Sequence, residues 1–301
     1  MTTSSSAASA VRSRRGSARA VRRMHPGYLL VIPAAVLVGV FFAYPVISLA
    51  LDSVLKPTPG TGHYADIFTD PTSMRILVRT FTVALLVTAV TLVLAYPYAY
   101  LMTLVGPRTR TVLMFLVLLP FWSSLMARTF AWVVLLQPGG VVSRALGWIG
   151  LEDTSLLGTQ LGVTIAMAQV LLPFMVLPLY SNMSGIDRRL LDAAHSMGAS
   201  RATAFRKVYL PLSIPGVTAG SVLVFILCLG FWVTPRLVGS PQESLIGQLI
   251  ATKVEKLLDF PSAGALSVIL LVVTMLLLLV VQGMLRRLAG RLPGAGGTDD
   301  E

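Results

Sequence analysis

Charge is scarce in this chain. Of its 301 residues only 12% are Asp, Glu, Lys or Arg, against about 25% in a soluble globular protein. That shortage excludes a fully water-exposed surface. With 55% hydrophobic residues and a mean hydropathy of +0.78, the composition is that of a membrane protein. Cysteine is nearly absent: the single Cys228 lies in an apolar run, which excludes an intrachain disulfide and a cysteine metal cluster. Histidine is sparse too. His25, His63 and His195 fall in three separate segments, which argues against a shared metal site. A phosphate-cradling loop of the form G-x-x-x-x-G-K-[ST] is missing, as are a G-x-S-x-G elbow and a His/carboxylate cluster.

What the chain has instead is long apolar runs. Six lie near Tyr28–Leu51, Val78–Leu104, Val112–Leu136, Leu161–Asn182, Gly216–Val233 and Ala263–Leu285, each close to the roughly 20 residues that cross a bilayer as a helix. Backbone amides in lipid must be satisfied within their own segment, so these runs are expected to be helices. The expected fold class is an all-α integral membrane protein with six transmembrane helices. Residues 1–24 are rich in Ser, Ala and Arg with no apolar face, and read as a disordered basic tail. Residues 25–288 read as the transmembrane domain, with a long loop at 184–213, and 289–301 as a short C-terminal tail. Ser48 and Ala50 resemble a cleavage site, but the run before them is about twice a signal-peptide length and is expected to be retained.

The basic residues are spread over short clusters between the runs, which is unlike the single patch of a nucleic-acid binder. They fix an expected orientation. One side collects the six tail arginines, Arg108, Arg110, the five cations of segment 187–207, Arg286, Arg287 and Arg291. The other side holds only Lys56, Arg75, Arg79, Arg144, Arg236, Lys253 and Lys256. The positive-inside rule then places both termini in the cytoplasm of a multi-pass cell-membrane protein.

The loop between the fourth and fifth runs is the informative one. It reads as two short helices. Asp187 can start the first, whose Leu190, Leu191, Ala194 and Met197 recur at helical spacing. Gly198 is placed to end it in a left-handed conformation. Ser200 can cap the second, which carries Phe205, Val208 and Tyr209, with Pro211 expected to end it. Such a pair, with the small Ala193 and Ala194 between apolar residues, suits a groove on a partner; a membrane-surface hairpin is the alternative on composition alone.

Asp192-Ala193-Ala194, then Gly198, then Leu210-Pro211 resembles the EAA loop of ABC importer permeases. Where that family carries Glu this chain has Asp192, which keeps the charge on an arm one methylene shorter. The segment from Pro120 through Trp132, Gly230-Phe-Trp-Val-Thr-Pro-Arg-Leu-Val-Gly239, Pro241-Gln242 and Asp259-Phe-Pro-Ser-Ala-Gly264 resemble the spermidine/putrescine-type members. The resemblance covers nearly the whole chain. It implies a type I ABC importer permease fold and a coupling loop that docks on a separate ATPase through Asp192, Ala193, Ala194, Gly198, Leu210 and Pro211. It further implies a second permease subunit, an extracytoplasmic solute-binding protein and a polyamine solute. No cofactor, metal or nucleic acid is expected; lipid is.

Candidate path residues are Trp122, Arg128, Trp132 and Trp232. Arg128 is the one charge well inside a run, with a Cα about 12 Å below the run's outer end at 1.5 Å per residue. It either snorkels or binds backbone carbonyls, or it lines the path. The tryptophans, with Tyr96 and Tyr98, are either interfacial anchors or cation-contacting rings. Pro173 and Pro178 are expected to kink the fourth run. Two other classes fare worse. A secondary transporter usually places carboxylates at mid-membrane, and these runs contain none; a membrane enzyme lacks its reactive groups. Among importers, Arg128 in the path would favour an anion such as an aminophosphonate, an organic anion or a metal complex over a polyamine.

Overall fold

The computed structural model describes residues 27–55, 60, 62–147 and 155–289. The tail expected at 1–24, His25 and the chain beyond 289 lie outside the described residues. The helices run in order: α1 Gly27–Val38, α2 Tyr44–Leu55, α3 Gly62–Thr69, α4 Pro71–Leu104, α5 Pro107–Leu118, α6 Leu125–Leu136, α7 Val141–Gly147, α8 Gln160–Ser184, α9 Arg189–Ser196, α10 Arg201–Ala204, α11 Leu210–Leu229, α12 Val233–Val238, α13 Ile246–Glu255 and α14 Phe260–Ala289. No strand occurs among the described residues. Six stretches are long and apolar enough to cross a membrane: Ala35–Leu55, Pro71–Leu104, Leu125–Gly147, Gln160–Ser184, Arg201–Leu229 and Phe260–Gly283.

The described residues fall into two compact units, divided between Ser48 and Leu49. In the first, α1 leads through a π-helical turn, Gly39–Ala43, into the start of α2, within which the division falls. The second unit is organised around α8, which packs against α4 and α11. Its side chains Met167, Leu171, Met175 and Leu179 are fully enclosed, together with Val83, Val87 and Met102 from α4 and Val224 and Cys228 from α11. Two close approaches explain the tight α8–α11 crossing. A Cβ on Gly216 would sit 2.8 Å from Asn182 Cβ, and one on Gly220 2.8 Å from Met175 Sδ. Small residues at such positions let helix backbones approach in a medium where apolar burial gives little drive. Within α4, the hydroxyls of Thr80, Thr88 and Thr91 donate to the carbonyls four residues back, so these buried groups are satisfied inside the helix.

The start of α4 is well defined. Asp70 accepts from the Thr72 and Ser73 amides and from the Ser73 hydroxyl, and these bonds, the Ser73 hydroxyl foremost, hold its carboxyl below the usual carboxylate range. Beside it, segment 230–260 is folded rather than loose. The Ile246 amide donates to Thr80 Oγ1 at 2.9 Å, Arg79 approaches Glu243 at 3.7 Å, and Lys253 pairs with Asp259 at 3.2 Å. Burial alone would raise the Asp259 pKa, but its bonds from Ser262 and Lys253 outweigh that and lower it.

Two expectations need correction. The third apolar run is not one helix over Val112–Leu136. It is α5, a 3₁₀ turn at Leu119–Trp122, two non-helical residues Ser123 and Ser124, and α6. Pro120 supplies no amide to a helix ladder, and the Ser123 hydroxyl takes the Pro120 carbonyl at 2.9 Å. At about 18 Å each, α5 and α6 are individually too short to span the hydrocarbon. Nor does Pro211 end the second loop helix. The chain stays helical from Arg201 to Leu229. A π-helical turn at Phe205–Tyr209, closed by the Leu210 amide on the Phe205 carbonyl, reaches back five residues and carries the helix past the proline.

Candidate coupling loop and solute path

Asp187 begins the loop by accepting from the Arg189 amide at 2.9 Å, one residue ahead of where α9 is capped. The end of α9 is a Schellman turn: the Gly198 amide donates to the His195 carbonyl and the Ala199 amide to that of Ala194, with Gly198 at φ +85°. Ser200 then caps α10, accepting from the Thr203 amide at 3.3 Å. The expected apolar stripe divides between two faces. Ala194 is buried and Leu191 half-buried, whereas Leu190 and Met197 are 47% and 82% exposed. Leu190, Ala193 and Met197 therefore form an outward strip beside the exposed Asp192. His195 is exposed on the same helix. Leu210 is exposed and Pro211 half-buried, where α11 begins.

An aromatic cluster fastens this loop to α4. Phe205 and Tyr209 stack at 5.5 Å, Tyr100 meets both edge-on at 5.4 and 5.1 Å, and Tyr96 meets Phe205 at 6.3 Å. Tyr96 also shares a hydrogen bond with Ser213 at 3.0 Å. Two arginines close the C-terminal end of α4. Arg188 from the loop donates to the Thr103 carbonyl, and Arg110 from α5 to those of Met102 and Val105. Cations suit these carbonyls, which have no partner in the helix and carry the negative end of its dipole. A cavity of about 250 Å³ remains between loop and α4, bordered by Tyr100, Arg188, Asp192, His195 and Arg201.

The expected path residues do not form one cluster. Trp122 is 71% exposed and stacks on Phe115 at 5.4 Å. Trp232 lies under the Arg236 guanidinium at 5.5 Å, itself 3.6 Å from Glu255. Tyr98 donates to the Leu113 carbonyl at 2.7 Å, a packing role. Arg128 reaches back along α6 to the carbonyls of Pro120 and Ser123, so the guanidinium serves the helix break. Four residues on, the half-buried Trp132 donates its indole N–H to Gln169 Oε1 of α8 at 3.2 Å. Nearby, Thr129 and Thr234 share a buried hydrogen bond at 3.2 Å. Sequence reasoning passed over Gln169, an amide in the interior of an apolar run; its position before two prolines carries no motif, though a mid-span amide is itself a signal.

Residues 92–293 match the family of binding-protein-dependent transport system inner membrane components. The chain belongs to that family. The permease is 35% identical to the spermidine/putrescine transport system permease protein PotB of Escherichia coli (strain K12) over 213 residues, 70% of this chain and 78% of the relative. It is 34% identical to the permease protein PotC of the same kind of system from Shigella flexneri, over 59% of this chain and 64% of the relative. Its fold is similar to that of a bacterial alginate ABC transporter chain from the crystal structure with an alginate pentasaccharide-bound periplasmic protein. That likeness has a TM-score of 0.68 at 21% identity and covers 87% of this chain and 94% of the other. The permease thus has the type I importer fold and is a multi-pass inner membrane protein.

Proposed function

We propose that this permease is the transmembrane subunit of an ATP-driven importer of small polyamines, spermidine or putrescine. The observation that carries the solute is the 35% identity to a spermidine/putrescine permease across 78% of its length. In this reading both termini lie in the cytoplasm, and a second permease subunit completes the path beside the apolar faces of this one. A periplasmic binding protein delivers the solute; the structural neighbour is in complex with an alginate pentasaccharide-bound periplasmic protein. Hydrolysis belongs to a separate ATPase, since no phosphate-cradling loop occurs in the sequence. The ATPase docks on segment 184–213, through Asp192, Ala193 and Ala194, with Gly198 setting the angle between helices and Leu210-Pro211 passing motion into α11. The exposed Leu190, Ala193 and Met197 strip supports this docking. Arg128 does not by itself call for an anionic solute, because its Nη2 is engaged by the Pro120 and Ser123 carbonyls at the helix break. The test is ATP-dependent uptake by proteoliposomes holding this chain, its partner permease, ATPase and binding protein. Labelled spermidine and putrescine should accumulate and an aminophosphonate should not. Accumulation of the phosphonate alone overturns the polyamine reading.

A further inference from the structure

The Trp132–Gln169 pair is placed where a structural hydrogen bond would be an extravagance. Gln169 is about 13 Å into α8, counting nine residues from Gln160 at 1.5 Å each, in the middle of an apolar span. Its neighbours Met167, Ala168, Val170 and Leu171 are buried, yet Gln169 itself is half-open, on one helix face with Ile165 and Leu172. Among the described residues its oxygen takes the Trp132 indole N–H, while the amide NH₂ makes no hydrogen bond. A half-open amide at that depth is costly against lipid and is sustained by a partner helix or by an aqueous path.

We propose that Gln169 and Trp132 together form a contact site for an alkylammonium group crossing the membrane; this rests on the polyamine reading above. An amide oxygen has two lone pairs, one held by the indole and the second available to an ammonium N–H. The indole ring adds a cation–π face. Neither group is charged, and no carboxylate lies in the five spans from Pro71 onward, so the hold is weak enough for release. Arg128 lies one turn before Trp132 on the same face of α6, and its guanidinium reaches back past the N-terminal end of that helix to the Pro120 and Ser123 carbonyls. The indole N–H bond aims the Gln169 oxygen, and the ring stands beside it. Trp122 and Trp232, engaged with Phe115 and Arg236, are outside the site.

The experiment uses the complete reconstituted transporter at saturating solute-loaded binding protein, with labelled spermidine and putrescine supplied separately. Gln169→Leu is expected to lower spermidine uptake about tenfold, the loss of one hydrogen bond to a charged group, with ATP hydrolysis continuing. Gln169→Glu is expected to retain spermidine, the trication, more than putrescine, the dication, and to shift the ratio of their uptake rates at least threefold. Trp132→Phe keeps a ring and the packing, and is expected to shift the same ratio in an assembled complex even where a Gln169 variant fails to assemble. A merely structural pair changes both solutes equally, so an unchanged ratio in Gln169→Glu and Trp132→Phe overturns the site. Wild-type transporter that takes up neither polyamine overturns the polyamine reading instead, and the two failures are distinguishable.

Discussion

Gly198 occupies a backbone conformation, φ +85°, that side chains with a Cβ rarely adopt, and nothing stands within 4 Å of where that Cβ would be. The constraint there is conformational, with no steric contribution from neighbours. Gly198→Val should therefore strain the turn by about 1 kcal/mol or more and misdirect α10. The permease should still assemble while transport falls and ATP hydrolysis loses its response to solute. Gly198→Asn should keep most of the transport, because Asn tolerates the left-handed region. Solute-stimulated ATPase and uptake rates check both, and full transport by Gly198→Val sinks the coupling role. Arg128 illustrates the opposite case: an arginine in an apolar run suggests a charged path, yet its hydrogen bonds go to the carbonyls exposed by the break at Ser123 and Ser124, as the packing alternative has it.

At the scale of elements, the α8–α11 crossing and the helical run through Pro211 decide how the loop meets the membrane core. Gly216→Ala would place a Cβ 2.8 Å from Asn182 Cβ, an atom fixed close to the backbone, so the helices must part. Overpacking of this kind costs about 1–3 kcal/mol. The expected outcome is a melting temperature lower than wild type in detergent, followed by static light scattering. Gly220→Ala should be milder, because its nearest clash is with the flexible Met175 thioether. Equal melting temperatures for Gly216→Ala and wild type would dismiss the crossing as a tight contact. The π-helical turn at Phe205–Tyr209 joins α10 to α11 without interruption, so in the proposed coupling a push on the loop would be delivered along the helix axis.

For the whole molecule, apolar surface remains exposed: Val93 is 72% exposed, Phe41 76% and Phe130 56%, surface that the proposed lipid and second-permease contacts would use. The proposed orientation is testable in intact cells. Single cysteines at Ser17 or Ser200 should be shielded from a membrane-impermeant maleimide, and ones at Ser155 or Ser244 labelled. The native Cys228, 1% exposed, should stay dark. Labelling at Ser200 from outside would overturn the topology and the coupling loop with it.

Much of this was legible in the chain. Apolar length and charge scarcity determined an all-α membrane protein, because lipid leaves the backbone few alternatives. Asp187, Gly198 and Ser200 announced their turns, since capping depends on atoms within a few residues. The uninterrupted passage through Pro211 and the break after Pro120 were decided by hydrogen bonds that a proline only biases: a π turn absorbs one, and Ser123 with Arg128 stabilises the other. Contacts between distant segments were beyond the sequence. Whether Trp132 meets Gln169, or Trp232 meets Arg236, depends on how α6, α8 and α12 cross, and residue spacing along one helix says nothing about the helix beside it.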